Sequence, residues 1–299
     1  MIKISKNMVS GWLMLCFSLF WLCFSEVAWA GYLTINGTPK IEANVSGQNI
    51  ILKGSYEIEN SGDETAANVF PALTLGAWVW AGEPKSVKAG ESETWTLDFT
   101  IPMEKLKCSE DRACAGLDLP LSGRFPLYVR RHYEDQNGYR FSAAQVHGLQ
   151  LGELSSEQLT ALRLPTLDGA LSCRGDGQSF RCKLDFQNSG LEARKVAAGA
   201  FSARELQILD PTATLVEVGA NAAGQAAFEL RNVSGLLGSS YAVFAVMQWD
   251  EGGVRNYASV SGLVSIANRS YGWLFLAGGL GVVLVLAGVI YLKVYRKRG

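Results

Sequence analysis

The sequence predicts an all-β ectodomain of two tandem antiparallel β-sandwiches, held between a leader at one end and a transmembrane helix at the other. Three observations predict it. Hydrophobic residues make up 48% of the chain and charged residues 18%, and the apolar excess sits at the two ends. Between the ends, apolar and polar residues alternate in short runs broken by glycine turns, with no long helical period. And the plan is spelled twice: "YEIENSGDETAANV" at 56–69 returns as "LDFQNSGLEARKVA" at 184–197.

Residues 1–30 read as a signal peptide. Lys3 and Lys6 precede an uncharged run over 7–25, and the small residues Ala28 and Ala30 place cleavage after Ala30. The alternative is an uncleaved anchor. At the other end, 273–292 is 20 residues without a charge, long enough to cross a bilayer core of roughly 30 Å as a helix. The predicted helix covers 272–292, with Tyr271, Trp273 and Tyr291 where interfacial aromatics belong. Lys293, Arg296, Lys297 and Arg298 form a basic stop that keeps the tail, 293–299, in the cytoplasm. The expectation is a single-pass protein of the cell (inner or plasma) membrane with its ectodomain periplasmic or extracellular. Ala277, Gly281 and Gly288 lie roughly along one face of the helix and could support a homodimer.

In the first copy, Ile50, Leu52, Gly54, Tyr56 and Ile58 share one parity against Lys53, Ser55, Glu57 and Glu59. In the second, Phe180, Cys182, Leu184 and Phe186 oppose Arg181, Lys183, Asp185 and Gln187. Period two over this length is a half-buried strand, and each strand stops at Asn-Ser-Gly, a turn signal. Further on, "VKAGESETWTLDFTIP" (87–102) matches "VGANAAGQAAFELRNV" (218–233), and two hairpin patterns turn at Asn137-Gly138 and Gly252-Gly253. The copies occupy 31–150 and 168–267. The connector 151–167 is either a plain linker or a short helix capped by Ser155 or Ser156, with Leu159 and Leu162 on one face and Pro165 as its stop. With few residues between the second sandwich and the helix, that sandwich should sit near the membrane and the first should project.

Residues 31–270 carry 21 Lys plus Arg against 27 Asp plus Glu, a balance of −6 that argues against nucleic acid. Four cysteines remain after the leader is removed. Local pairing, Cys108 with Cys114 and Cys173 with Cys182, suits an oxidising compartment. A metal site is the rival, but the chain lacks C-x-x-C spacing and holds only two histidines, His132 and His147. No metal or cofactor is expected.

Strand, Asn-x-Gly, a short strand with Val, a Gly-Glu turn, then an alternating strand and an Asp/Gly hairpin together resemble CARDB modules, the cell-adhesion-related immunoglobulin-like domains of bacteria. Asn60, Gly62, Val69, Gly90, Glu91, Gly123, Tyr128, Val129, Asp135 and Gly138 carry the likeness in the first copy. Asn188, Gly190, Val196, Gly224, Tyr241, Val243, Asp250 and Gly253 carry it in the second, where Gln225 replaces the Gly-Glu glutamate. The resemblance implies immunoglobulin-like sandwiches, surface display and protein contacts, and no catalytic residues.

Catalytic signatures are missing. No nucleophile elbow, histidine pair or phosphate loop occurs, and His132 in "VRRHYED" reads as a surface strand residue. Trp95 and Trp249 read as core. Trp78 and Trp80 share a parity and could share an exposed face, as a platform for a surface glycan. Arg174-Gly175-Asp176 could be an adhesion motif but is better read as a hairpin tip. Glu134, Asp135, Asp250 and Glu251 at loop tips could hold calcium, although each tip offers few oxygens. Asn36, Asn44, Asn232 and Asn268 begin Asn-x-Ser/Thr sequons. The expected function is non-enzymatic: binding partner proteins or bracing an envelope assembly. A carbohydrate-binding surface module is the alternative.

Overall fold

The computed structural model describes residues 32–106, 122–156, 158 and 166–267. The leader, Cys108 and Cys114, most of the connector, the candidate transmembrane run with Ala277, Gly281 and Gly288, and the basic stop lie outside the described residues. Among the described residues no helix is long and apolar enough to cross a membrane.

The described chain is all-β, with one 3-10 turn at Met103–Leu106. The first copy contributes β1 (Ile35–Ser46), β2 (Asn49–Asn60), β3 (Ala66–Leu75), β4 (Trp78–Ala81), β5 (Lys85–Val87), β6 (Ser92–Pro102), β7 (Gly123–Glu134) and β8 (Arg140–Leu151). The second contributes β9 (Leu167–Gly175), β10 (Ser179–Asn188), β11 (Arg194–Ser202), β12 (Leu206–Ile208), β13 (Thr214–Val218), β14 (Ala223–Asn232), β15 (Ser240–Glu251) and β16 (Val254–Ser265).

One sheet of the first copy runs β1-β2-β6, and its counterpart in the second runs β9-β10-β14-β12. The facing sheets are β8-β7-β3-β4 and β16-β15-β11-β13, with β5 also on β3. All ladders within a copy are antiparallel. This partition of strands between two sheets is the immunoglobulin-like one. The alternation read from sequence sets the faces. Ile50, Leu52, Tyr56 and Ile58 are buried in one core, and Phe180, Cys182, Leu184 and Phe186 in the other. Trp95 and Trp249 belong to these cores.

The copies differ at their flanks. β4 and β5 share the outer edge of β3, whereas in the second copy β13 pairs β11 and β12 crosses to pair β14. Both expected hairpins form. Gly252 and Gly253 have φ of 59° and 76° and link Glu251 to Val254 directly, a two-residue turn that only glycine fills cheaply at both positions. The Asn137-Gly138 hairpin is longer, closing five residues between paired Glu134 and Arg140. In the connector the Ser155 Oγ accepts from the Gln158 N–H at 3.2 Å and Gln158 Oε1 accepts from the Ser155 N–H at 2.9 Å, the reciprocal pair of a capping box.

Cys173 and Cys182 are bonded as direct cross-strand partners on β9 and β10. They are 9 residues apart, so the chain-entropy estimate for so short a loop is about 2–3 kcal/mol. Replacing both with serine should lower unfolding stability by that amount in urea titration. An unchanged midpoint would show that the bond constrains nothing the β9–β10 ladder does not already hold.

The two copies lie side by side. β7 runs parallel to β16, joined where Gly123 faces Arg255 and the Arg255 N–H donates to the Ser122 carbonyl at 2.9 Å. From there the contacts advance together along both sheets: Arg124 on Tyr257, Tyr128 on Phe201, Arg130 to Ser202, Ser142 to Glu205. Val246 and Gln248 point away from the core of sandwich two, yet they are 1% and 5% exposed, because sandwich one covers them.

Candidate functional site

Three groups of residues could carry function: the seam between the sandwiches, the tryptophan edge and the loop tips.

The seam is built from the outward face of β7. Odd positions Phe125, Leu127 and Val129 fill the core of sandwich one, which leaves even positions Tyr128, Arg130 and His132 for the neighbour. Arg130 donates to the Ser202 carbonyl at 3.0 and 3.3 Å and lies over the Phe201 ring. Burial pulls its guanidinium below the usual range, with nearby Glu205 acting in the opposite sense. Ser142, opposite His132 on β8, binds twice: its Oγ donates to Glu205 Oε2 at 2.7 Å and accepts from the Arg204 N–H at 2.7 Å. Glu205 is fully buried, and its Oε1 has no hydrogen-bond partner. Burial pushes the Tyr128 hydroxyl up, with Tyr257 adding to the effect.

His132 stacks on Phe70 at 4.8 Å and its buried Nδ1 is unpartnered. Burial first, then Arg130 and Arg204, push its pKa down to about 4 from 6.5. A base must reach a proton, and this ring is half-buried, stacked on Phe70 and flanked by the cations Arg130 and Arg204. The sign for stability follows. The folded pKa lies below the unfolded one, so unfolded chains take up the proton first as pH falls through 6.5. His132 therefore favours the folded state above pH 6.5 and loses that contribution between pH 6.5 and about 4. Thermal melts across that window should fall less steeply for His132→Phe, which keeps the stack, than for wild type. Parallel curves would remove His132 from the acid response.

Trp78 and Trp80 do share a parity, but their rings turn inward. They pack half-buried against the core of sandwich one, each tilted on Phe99 of the opposite sheet at 5.3 and 5.2 Å. The residue facing solvent between them is Val79, 64% exposed. They close the mouth of the sandwich at its β4 edge. His147 lines an open groove with Lys40, Glu42 and Lys53, and burial lowers its pKa.

The acids at the tips are already engaged. Glu134 accepts from Asn68 and Arg140, and Asp135 Oδ1 from the N–H groups of Asn137 and Tyr139. Asp250 pairs with Arg255, and Glu251 holds Arg194, Trp249 and Thr166. Asp176 of the Arg-Gly-Asp segment receives the Gln178 and Ser179 N–H groups at 2.9 Å each, so its carboxyl builds the hairpin tip. That tip lies beside Ala267, where the chain leaves the sandwich.

What sequence reasoning missed is the depth of the repeated asparagine. Asn60 and Asn188 are both fully buried. Asn60 Nδ2 donates to the carbonyls of Glu64 and Val87 at 2.6 and 3.0 Å, and its Oδ1 accepts from the Gly62 N–H at 3.1 Å. Asn188 does the same with Glu192, Gly219 and Gly190 at 2.8, 2.9 and 3.0 Å. The following serine repeats as well: the Ser61 N–H donates to the Thr34 carbonyl and that of Ser189 to Thr166. Each amide ties the end of one strand to the turn before another. The available signal was the identity of the side chain in both copies, where a solvent-facing turn would accept Gly, Asp or Ser.

No family model matches this chain, and no curated protein does. Among solved structures it is similar to the YadV chaperone (12% identity, TM-score 0.30, covering 78% of this chain and 98% of that one). It is similar to the CsuC-CsuE chaperone-tip adhesion subunit pre-assembly complex of Acinetobacter baumannii Csu pili (13%, TM-score 0.23, 76% and 98%). It is also similar to red sea bream transglutaminase (10%, TM-score 0.25), of which it spans 31% while 80% of this chain is covered. Nothing about activity, ligands or partners passes from these proteins to this chain.

Proposed function

We propose that this chain is an exported, single-pass membrane protein without catalytic activity, which binds partner proteins or braces an envelope assembly through its two sandwiches. The closer likeness to CARDB modules belongs to this reading. The observation that carries it is the seam. Of the side chains that would attract a mechanistic reading, Arg130, Ser142 and Glu205 are spent joining the sandwiches into one body, and His132 is stacked on Phe70 of its own sandwich. A stiff two-domain body suits bracing, because it transmits position and load without a hinge. The uncharged run 273–292 with its basic stop supports the anchor.

The body offers open strand edges for a partner. β4 and β5 end the long sheet on one flank and β13 ends it on the other, with Val79 and Leu215 exposed at 64% and 61%. Unpaired edges accept a strand from another chain. The glycan alternative draws no support from Trp78 and Trp80, whose rings are spent on Phe99.

A photo-crosslinking residue placed at Val79 or Leu215 of the full chain, in cells of its own host, should give a discrete protein adduct at one edge. The same residue at Glu59, exposed on β2 inside a ladder, should not. Full-length protein in the membrane with no adduct at either edge would overturn binding through the edges.

A further inference from the structure

The β14–β15 loop, residues 233–239, is exposed and apolar at one end of sandwich two. Val233, Leu236 and Leu237 are 60%, 42% and 70% exposed, and no charge occurs from Asn232 to Trp249. An apolar loop usually resists leaving water because its backbone N–H groups would go unpaired. Here six of the seven, all but that of Leu237, are paired already. The Val233 and Ser234 N–H groups donate to the Glu205 carbonyl at 2.9 and 3.4 Å, Gly235 to Asn232 Oδ1 at 2.7 Å, and Leu236 to the Tyr241 hydroxyl at 3.1 Å. Gly238 donates to the Ile266 carbonyl at 2.8 Å and Ser239 to that of Leu236 at 3.1 Å. Entering an apolar medium would break none of these six bonds and would leave the Leu237 N–H as the one to desolvate.

Its position says which medium. The Ile266 N–H donates to the Ser239 carbonyl at 2.9 Å, so the loop is fastened to the last strand exit of the sandwich. The uncharged run begins at 273, and the intervening chain from 267 to 272 spans at most roughly 20 Å fully extended. The loop is thus tied to the point from which the chain heads for the bilayer. The opposite end of the sandwich, where the Asn221 N–H meets the Gly190 carbonyl, carries exposed Leu191 with no such link.

We propose that residues 233–239 form a membrane-contacting loop, which seats sandwich two on the interface of the same bilayer that the C-terminal run enters. This rests on the membrane-anchor reading above. Leu236 and Leu237 sit among the headgroups and upper acyl chains, as apolar side chains at interfaces do. The second point of attachment fixes the tilt of the body and, through the seam, that of sandwich one.

The test uses the full chain in phosphatidylcholine vesicles, with or without a doxyl-labelled lipid. Leu237→Cys and Leu191→Cys, each in a background with Cys108→Ser and Cys114→Ser, are labelled with an environment-sensitive fluorophore under non-reducing conditions, which protects Cys173 and Cys182. Carbonate-resistant flotation is scored in parallel. The expected result is flotation of both variants, with the Leu237 label quenched several-fold more by the doxyl lipid than the Leu191 label. Flotation with equal quenching at the two sites, or with none, overturns the loop contact and leaves the anchor standing. Failure to float overturns the anchor reading, and the loop contact falls with it. Leu236→Ser with Leu237→Ser guards against a labelling artefact: both side chains are exposed, so the fold survives, and a label at Val233 should then lose its quenching. Retained quenching there would overturn the role of the two leucines.

Discussion

Asn60→Ala is expected to destabilise sandwich one by roughly 3 kcal/mol, and Asn188→Ala sandwich two by a similar amount, in urea titrations of the full chain in detergent. Each substitution removes one side chain and strands three backbone groups. For Asn60 these are the Glu64 and Val87 carbonyls and the Gly62 N–H; for Asn188 they are the Glu192 and Gly219 carbonyls and the Gly190 N–H. A buried group left without a partner costs about 1–3 kcal/mol, and some of these will recover water at the strand end. Asparagine to aspartate discriminates further. It is nearly isosteric, but at pH 7 it points a carboxylate at two carbonyl oxygens, so it should be at least as damaging as alanine. Those oxygens raise its folded pKa, so aspartate variants should regain stability as pH falls and the carboxyl becomes a donor. A loss below about 1 kcal/mol for both alanine variants would mean the amides are ornaments of the turn, readily replaced by water.

The asparagine also marks how far the sequence could be read. Alternation placed the core side chains of β2 and β10 correctly, because period two leaves little choice of face once one parity is apolar. Asn-Ser-Gly was legible as a turn, since the strand must end there. That the amide turns inward depends on a carbonyl 27 residues away for Asn60 and 31 for Asn188, and no local pattern encodes that distance.

The seam was less legible still. One trace of it exists on β15, where Ala242, Phe244 and Val246 are apolar on the parity that should face water. A strand apolar on both parities is covered on both faces. The other half is written in polar residues, Arg130, Ser142 and Glu205, which look like surface when read alone. Trp78 and Trp80 show another limit: the shared parity was legible, but alternation does not say which parity faces the core on a strand of only 4 residues.

The second large effect is expected at the seam, which Ser142→Ala and Gly123→Val should open from opposite ends. The Ser142 hydroxyl is the hydrogen-bond partner of Glu205 Oε2, and Oε1 has none, so alanine leaves a fully buried carboxyl with neither oxygen bonded and the Arg204 N–H orphaned. Hydrogen bonds to charged or buried groups put that loss at about 2–3 kcal/mol. Gly123 fails for a different reason. Its φ is 128°, and a Cβ there would lie 2.0 Å from the Arg255 carbonyl oxygen, so no side chain fits while β7 and β16 remain joined. Valine must break the Arg255–Ser122 hydrogen bond and push the strands apart. Neither change touches the separate cores of the two sandwiches. The expected signature is therefore a separation of domains and not their unfolding: a larger radius of gyration by small-angle scattering, faster proteolysis between 152 and 166, and unchanged far-UV circular dichroism. Gly199→Ala is the matched control, a strand glycine with nothing within 4 Å of an added Cβ, and it should do none of this. If both seam variants keep the wild-type radius, the sandwiches are held by Tyr128 on Phe201, Arg124 on Tyr257 and Arg130 on Ser202, and neither the Ser142–Glu205 bond nor the Gly123–Arg255 junction locks the body.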